Sequence, residues 1–154
     1  MKRIIINEDV CMGCGLCRVY CQTEHSKSKN IIKAWKKESP QPLPRVRVER
    51  KGDLFFSLQC RNCDQPWCAY SCLTGALQKD PETGNVTFDS NKCMGCWTCI
   101  LACPNGAIAR DIDRKVVAKC DLCPDLETPA CVANCPNEAL SLVDDGKPAA
   151  VSVI

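Results

Sequence analysis

The chain has 154 residues and counts as 45% hydrophobic only because its 16 cysteines are included; without them apolar residues fall to about 34%, and aromatics are 5%. That is too little oil to offset the conformational entropy of folding, which excludes an ordinary hydrophobic-core domain and calls for another staple. The formal charge is +2 for the chain alone, and no apolar run reaches the about 18 residues of a membrane span.

The staple is either disulfide or metal. Disulfide scaffolds belong to secreted chains, whereas this one opens MKRIIINEDVC, with only residues 4–6 as an apolar run and no cleavage site. A reducing, cytoplasmic compartment is therefore expected, and dense cysteine there points to metal.

Along the chain the cysteines fall into four groups of four, with none left over. The first is Cys11, Cys14, Cys17 and Cys21, a C-x2-C-x2-C-x3-C run. A long interruption over residues 22–59 follows. It places Lys27, Lys29, Lys33, Lys36 and Lys37 around Ile31, Ile32 and Trp35, then the stiff stretch Ser39-PQPLP. Arg45-VRVER and Leu54-FFSL read as a hairpin turning at Lys51-Gly52-Asp53, with Val46 and Val48 on one face. This region is either a solvated basic helix with a covering hairpin or a docking element for a redox partner.

The second group is Cys60, Cys63, Cys68 and Cys72, stretched by two residues. Beyond it, residues 80–85 (DPETGN) form a turn between short strands. The third group, Cys93, Cys96, Cys99 and Cys103, returns to the first spacing, and a second hairpin turns near residues 111–114. The fourth is Cys120, Cys123, Cys131 and Cys135. The segments Cys72-LTGAL, Cys103-PNGAI and Cys135-PNEAL repeat one another, each marking a short helix that gives way to a strand. The expected architecture is α+β, with short helices and β-hairpins around cluster loops. The tail, residues 147–154, ends apolar and either frays or docks on another chain.

The spacing suits a cubane. Three cysteines two residues apart can curl round one cube, while the fourth, a helical turn further on, points toward a neighbouring cluster. Zinc is the rival, but three cysteines within seven residues crowd a tetrahedral centre. Sixteen thiolates on four oxidised cores would bring the holoprotein to about −6, which weakens a nucleic-acid reading. His25, the only histidine, could ligate, but no cysteine is missing for it to replace. Trp67 and Trp97 lie inside cluster loops and are read as water-excluding packing more than as electron relays. No dinucleotide loop, P-loop or Ser/His/Asp grouping appears, so substrate and flavin chemistry is assigned to other subunits.

On these four motifs, from Cys11 to about Val143, the chain resembles the four-cluster ferredoxin-like electron-transfer subunits of molybdenum, tungsten and nickel oxidoreductases. That group includes the iron–sulfur subunits of dimethyl sulfoxide reductase and formate dehydrogenase, and the similarity is greatest to the short, soluble CO-dehydrogenase-associated (CooF-like) type. The resemblance implies two pseudo-symmetric bacterial-ferredoxin-like modules nested in one unit over residues 1–154. The inner module would span about 53–119, the outer about 1–25 plus 120–145, with an insertion at about 26–52. It implies four [4Fe–4S] clusters held by Cys11, Cys14, Cys17 and Cys135; by Cys120, Cys123, Cys131 and Cys21; by Cys60, Cys63, Cys68 and Cys103; and by Cys93, Cys96, Cys99 and Cys72. Spacing supports the pairing of the second and third groups, which a hairpin joins, but leaves a sequential pairing of groups open. Some relatives put tryptophan at a third-group cysteine; here Cys96 is present and Trp97 merely follows it, so four intact cubanes are expected. The implied function is to wire a catalytic metalloenzyme subunit to a flavoprotein NAD(P) oxidoreductase or another acceptor. CO dehydrogenase or a tungsten aldehyde oxidoreductase comes first as that partner, then hydrogenase or formate dehydrogenase. Neither membrane insertion nor a nucleic-acid partner is expected. A free polyferredoxin carrier and a zinc-stabilised interaction module stay open as alternatives.

Overall fold

The computed structural model describes residues 1–144, so the apolar tail at residues 147–154 lies outside the described residues. Strand β1 (Lys2–Ile6) and a 3-10 turn (Glu8–Val10) lead into the first cysteine group, which ends inside helix α1 (Leu16–Glu24). Helix α2 (Ile31–Lys36) and the hairpin β2 (Val46–Lys51) with β3 (Leu54–Gln59) occupy the interruption. Next come α3 (Trp67–Tyr70), β4 (Leu77–Lys79), β5 (Val86–Phe88) and α4 (Thr98–Ala102). The chain continues through β6 (Ala109–Asp111), β7 (Val116–Ala118), α5 (Ala130–Ala133) and β8 (Leu140–Asp144). Among the described residues the longest helix has nine residues, short of the roughly 12–15 that make an isolated helix even marginal in water.

Every sheet among the described residues is a two-stranded antiparallel pair: β1–β8, β2–β3, β4–β5 and β6–β7. Three are local hairpins at the expected places. The turn between β4 and β5 is tied by the Asp80 carboxylate, which accepts from the Glu82 N–H at 3.0 Å and the Thr83 hydroxyl at 2.6 Å. The fourth pair is not local, for β1 lies against β8 with Lys2 opposite Asp144 and Ile6 opposite Leu140. It buries Ile4 and Leu140 in one core with Cys17, Cys21, Cys120 and Cys131. In parallel, α1 packs on α5 and α3 on α4.

The basic segment forms α2 because Asn30 caps it, accepting from the Lys33 N–H, while Lys33 and Lys36 complement the dipole in the last turn. Only Ala34 of this helix is buried. The β2–β3 hairpin pairs Lys51 with Leu54 and so straddles the position where the inner module is expected to begin.

Large apolar side chains are scarce inside. Among the described residues the buried apolar ones comprise seven cysteines, six alanines and seven aliphatics: Ile4, Val46, Leu77, Val86, Ile108, Val117 and Leu140. The interior is a thin shell of oil around sulfur.

The cysteine loops share one backbone device. The residue before the second cysteine of every group is left-handed: Gly13 (φ 69°), Asn62 (46°), Gly95 (71°) and Leu122 (64°). Reversing the chain there brings the second cysteine back to the cavity that the first one lines in the first three groups. A Cβ at Gly95 would sit 2.5 Å from the Lys115 carbonyl oxygen in the turn between β6 and β7, a clash that only backbone movement relieves. Gly15, also left-handed, has nothing within 4 Å. Gly95→Ala should therefore lower the thermal midpoint of the anaerobic holoprotein clearly more than Gly15→Ala, whose cost is the left-handed strain of about 1–2 kcal/mol alone. Equal losses by anaerobic calorimetry would show that the Lys115 contact is immaterial.

Candidate metal centres

Three small cavities, of about 30, 20 and 20 Å³, are each walled by four cysteines. The first gathers Cys11, Cys14, Cys17 and Cys135 beneath β8. The second gathers Cys60, Cys63, Cys68 and Cys103, with Trp67 on its wall. The third gathers Cys72, Cys93, Cys96 and Cys99 beside Trp97. The remaining four meet as well, since Cys131 feels the charges of Cys120, Cys21 and Cys123. In each set three sulfurs come from one cysteine group and the fourth from another group, either within its short helix (Cys21) or within two residues after that helix ends (Cys72, Cys103, Cys135).

Gathering sulfur this way is unfavourable for bare thiolates. Burial pushes Cys17, Cys68 and Cys99 each up to about 11, with the like charges of neighbouring cysteines adding. Burial takes Cys120 to about 12 and raises Cys131 too. All sixteen cysteines are free of disulfide. A bound cation would remove the conflict, since a metal takes the thiolate form and displaces the proton.

The backbone is already arranged for that charge. Sulfur accepts from backbone N–H groups at Cys21 (Arg45, 3.2 Å), Cys72 (Leu77, 3.4 Å), Cys103 (Ala107, 3.4 Å) and Cys60 (Asn62, 3.5 Å). Burial opposes ionisation of Cys72, but the N–H groups of Leu77 and Thr74 outweigh it and hold its pKa below the usual thiol value. The Thr98 hydroxyl, 3.5 Å away, lowers Cys96 likewise. The repeated Gly-Ala steps expected at helix ends serve this purpose. Left-handed Gly75 and Gly106 turn the following amides back toward Cys72 and Cys103, and Glu138 takes the same conformation after Cys135.

His25 supplies hydrogen bonds around one set. Its Nδ1 is 2.7 Å from the Cys21 carbonyl oxygen and its Nε2 is 3.1 Å from the Asp121 carboxylate. Arg45 pairs with the same carboxylate. Burial would lower the His25 pKa, but Asp121 and Cys21 together raise it to about 9. Asp121 is held well below its usual range, burial being outweighed by His25 and Arg45. Trp97 is left-handed (φ 63°) and carries the Arg110 guanidinium 4.8 Å above its ring. Trp67 stacks edge-on against Tyr70 and stays 54% exposed, so it shields its cavity on one side only. Asp121, Lys119 and Asn62 carry no signal in the sequence, because a charged or amide residue beside a cysteine looks like surface, and Arg45 shows there only as the start of a hairpin strand.

Residues 52–145 match the family described as the 4Fe-4S dicluster domain. The chain belongs to that family. The matched span holds the second, third and fourth cysteine groups and leaves the first outside. Among similar proteins, the electron transport protein HydN of Escherichia coli K12 is 34% identical over 96% of this chain and 91% of its own length. An iron–sulfur protein of Rhodospirillum rubrum is 32% identical over 92% of this chain and 81% of its own. A chain in the active site complex BamBC of benzoyl coenzyme A reductase with 1,5-dienoyl-CoA superposes with a TM-score of 0.51 at 25% identity. It covers all of this chain and 82% of that one. The protein is thus an iron–sulfur electron-transfer protein with [4Fe–4S] clusters. Among the described residues no helix is long and apolar enough to cross a membrane.

The donor sets fit such clusters: four thiols each and amides directed at sulfur. When bound, a cluster supplies one-electron redox chemistry; the chain's residues hold it, exclude water and set its charge environment. With so few aliphatics inside, cluster removal takes away the centre of each packed unit. Chelation under anaerobic conditions should collapse the native far-UV circular dichroism, since metal binding here is folding energy. A chelated protein that keeps its native spectrum would contradict this.

Proposed function

We propose that the chain holds four [4Fe–4S] clusters in a row and wires a catalytic metalloenzyme subunit to an acceptor, a flavoprotein NAD(P) oxidoreductase. The ligand sets are the four groupings of sulfur described above, and the nested arrangement is supported by the packing of α1 on α5 and of β1 on β8. One observation carries the wire: each set adjoins the next. Cys17, Cys21, Cys60, Cys120 and Cys131 share one packed core, and Cys103, which packs against it, also packs against a second core around Cys99 together with Cys68, Cys72 and Cys93. Electrons would pass from the Cys93 set through the Cys60 and Cys120 sets to the Cys11 set, or the reverse. The two outer sets each contain an exposed cysteine, Cys96 and Cys14, beside an exposed methionine, Met94 and Met12. Partners would meet the wire at those ends.

CO dehydrogenase and a tungsten aldehyde oxidoreductase are the favoured catalytic partners, then hydrogenase or formate dehydrogenase, in a cytoplasmic complex. The chain itself would not be an enzyme. The likeness to a chain of a reductase's active site complex supports the subunit role, and α2, with Ile32 and Trp35 exposed among lysines, offers a docking element. A free carrier is the second reading, favoured by the similarity to HydN, named an electron transport protein. Native mass after anaerobic purification separates the two.

The anaerobic protein should hold about sixteen iron and sixteen acid-labile sulfide per chain. Zinc in place of iron, or a steady twelve-iron plateau, would count against four cubanes. Cys21→Ser should alter the electron paramagnetic resonance of one cluster, the one shared with Cys120, Cys123 and Cys131. Iron should fall by no more than about four per chain. Loss of the Cys11 cluster instead would refute the nesting.

A further inference from the structure

Lys119 is the one buried lysine among the described residues, 3% exposed. Its Nζ donates to the carbonyl oxygens of Val86 at 2.6 Å and Cys120 at 2.7 Å, and to Asn62 Oδ1 at 3.4 Å. Three acceptors match the three protons of an ammonium group. All three are neutral, and among the described residues no carboxylate lies within ion-pair distance of it. A cation taken out of water without a counter-charge is costly, so something else in the interior must supply negative charge.

The position identifies the source. On one side, Lys119 holds the carbonyl of Cys120. On the other it holds Asn62, the left-handed residue between Cys60 and Cys63, whose own N–H donates to the Cys60 sulfur at 3.5 Å. Asn62 is 1% exposed; its Nδ2 donates to the Lys2 carbonyl at 3.2 Å, and the Oδ1 that accepts from Lys119 also accepts from the Val86 N–H at 3.2 Å, so this bridge is held from three sides. A cube with four thiolates on an oxidised core carries about −2. Two such charges on either side of Lys119 are the counter-charge its burial requires.

We propose that Lys119 is a positioning residue of the electron wire: a fixed positive charge shared by the two central clusters, those of the Cys60 and Cys120 sets, which makes both easier to reduce. This rests on the four-cluster reading above. Each one-electron reduction adds negative charge, and an ammonium between the two sites stabilises the reduced form of either. The charge also screens the two clusters from each other, so that an electron on one is less of a barrier to an electron on its neighbour.

The test is a redox titration followed by electron paramagnetic resonance on anaerobic holoprotein, comparing wild type with Lys119→Gln, Lys119→Met and Lys119→Arg. Glutamine keeps a donor for the carbonyls and removes the charge. Two of the four one-electron waves should move to lower potential in the neutral variants. At a fixed potential their oxidised-to-reduced ratio should rise about tenfold, ~59 mV for a one-electron couple. The other two waves, the iron content and the arginine variant should stay as in wild type. If neither neutral variant assembles its clusters while Lys119→Arg does, the charge is needed even to install them, which supports the same assignment. Neutral variants with full iron and four unmoved waves would overturn it, leaving Lys119 a purely structural tie. Failure of Lys119→Arg alongside the neutral variants would overturn it too. A wild-type protein lacking four waves or about sixteen iron would remove the four-cluster reading itself, before any variant is compared.

Discussion

Bringing sixteen cysteine sulfurs together in sets of four places like charge beside like charge, and thiolate–iron bonding is what makes that placement favourable. Burial and mutual repulsion both act to keep the thiols protonated, most strongly at Cys120 and Cys131, which sit deepest. Coordination reverses the sign of the problem, because each sulfur then faces a cation. The rest of the fold reads as a consequence. Helices of four to nine residues and strands of three to six need no stability of their own. They have only to present sulfur and amide groups at the right places around each set.

That requirement explains why such unlike sequences adopt the same loop. The left-handed residue before each second cysteine is glycine twice, asparagine once and leucine once. Glycine takes that conformation freely and asparagine with little penalty, whereas Leu122 is held there against its own preference. Its loop is the deepest, with Cys120, Cys123 and Cys131 all buried and Cys21 arriving from α1. On the proposed ligand assignment, strain at Leu122 would be tolerable because four metal–sulfur bonds would determine the local geometry more firmly than backbone preference does.

Much of this could be read from the residues. Turn chemistry at Asp80-Pro81 and Lys51-Gly52 located the hairpins, and the repeated Gly-Ala steps located the helix-to-strand junctions beside Cys72 and Cys103. The β1–β8 pair was not foreseen. Its strands are 134 residues apart at Ile6 and Leu140, and no local pattern says which distant strand will cover residues 4–6. The polar groups around the clusters were missed for a related reason. Lys119 follows Val117 and Ala118 at the end of a strand and precedes a cysteine, where a lysine ordinarily turns to water. Only the tertiary arrangement brings the Asn62 loop and the Val86 carbonyl to its ammonium. His25 was weighed as a ligand in sequence; in the fold it braces the Cys21 carbonyl and the Asp121 carboxylate instead.

The distribution of charge follows the same logic as the distribution of burial. All four cysteines of the Cys120 set are buried, whereas in the Cys60 set Cys60 alone is buried and the other three are partly exposed, so water screens an arriving electron least at the Cys120 set and fixed groups must do so there. Lys119 lies between them, and Arg45 and His25 stand on the far side of the Cys120 set, tied by Asp121. The outer sets, with Cys14 and Cys96 exposed, have solvent or a partner's surface for that purpose. They rely on lighter devices, such as the Thr98 hydroxyl on Cys96. In the proposed four-cluster row, ends screened by water and a middle screened by a cation would keep the members within reach of one another in potential even though their surroundings differ. Such levelling is what a wire needs, because one central site much harder to reduce than its neighbours would stall every electron that entered from either end.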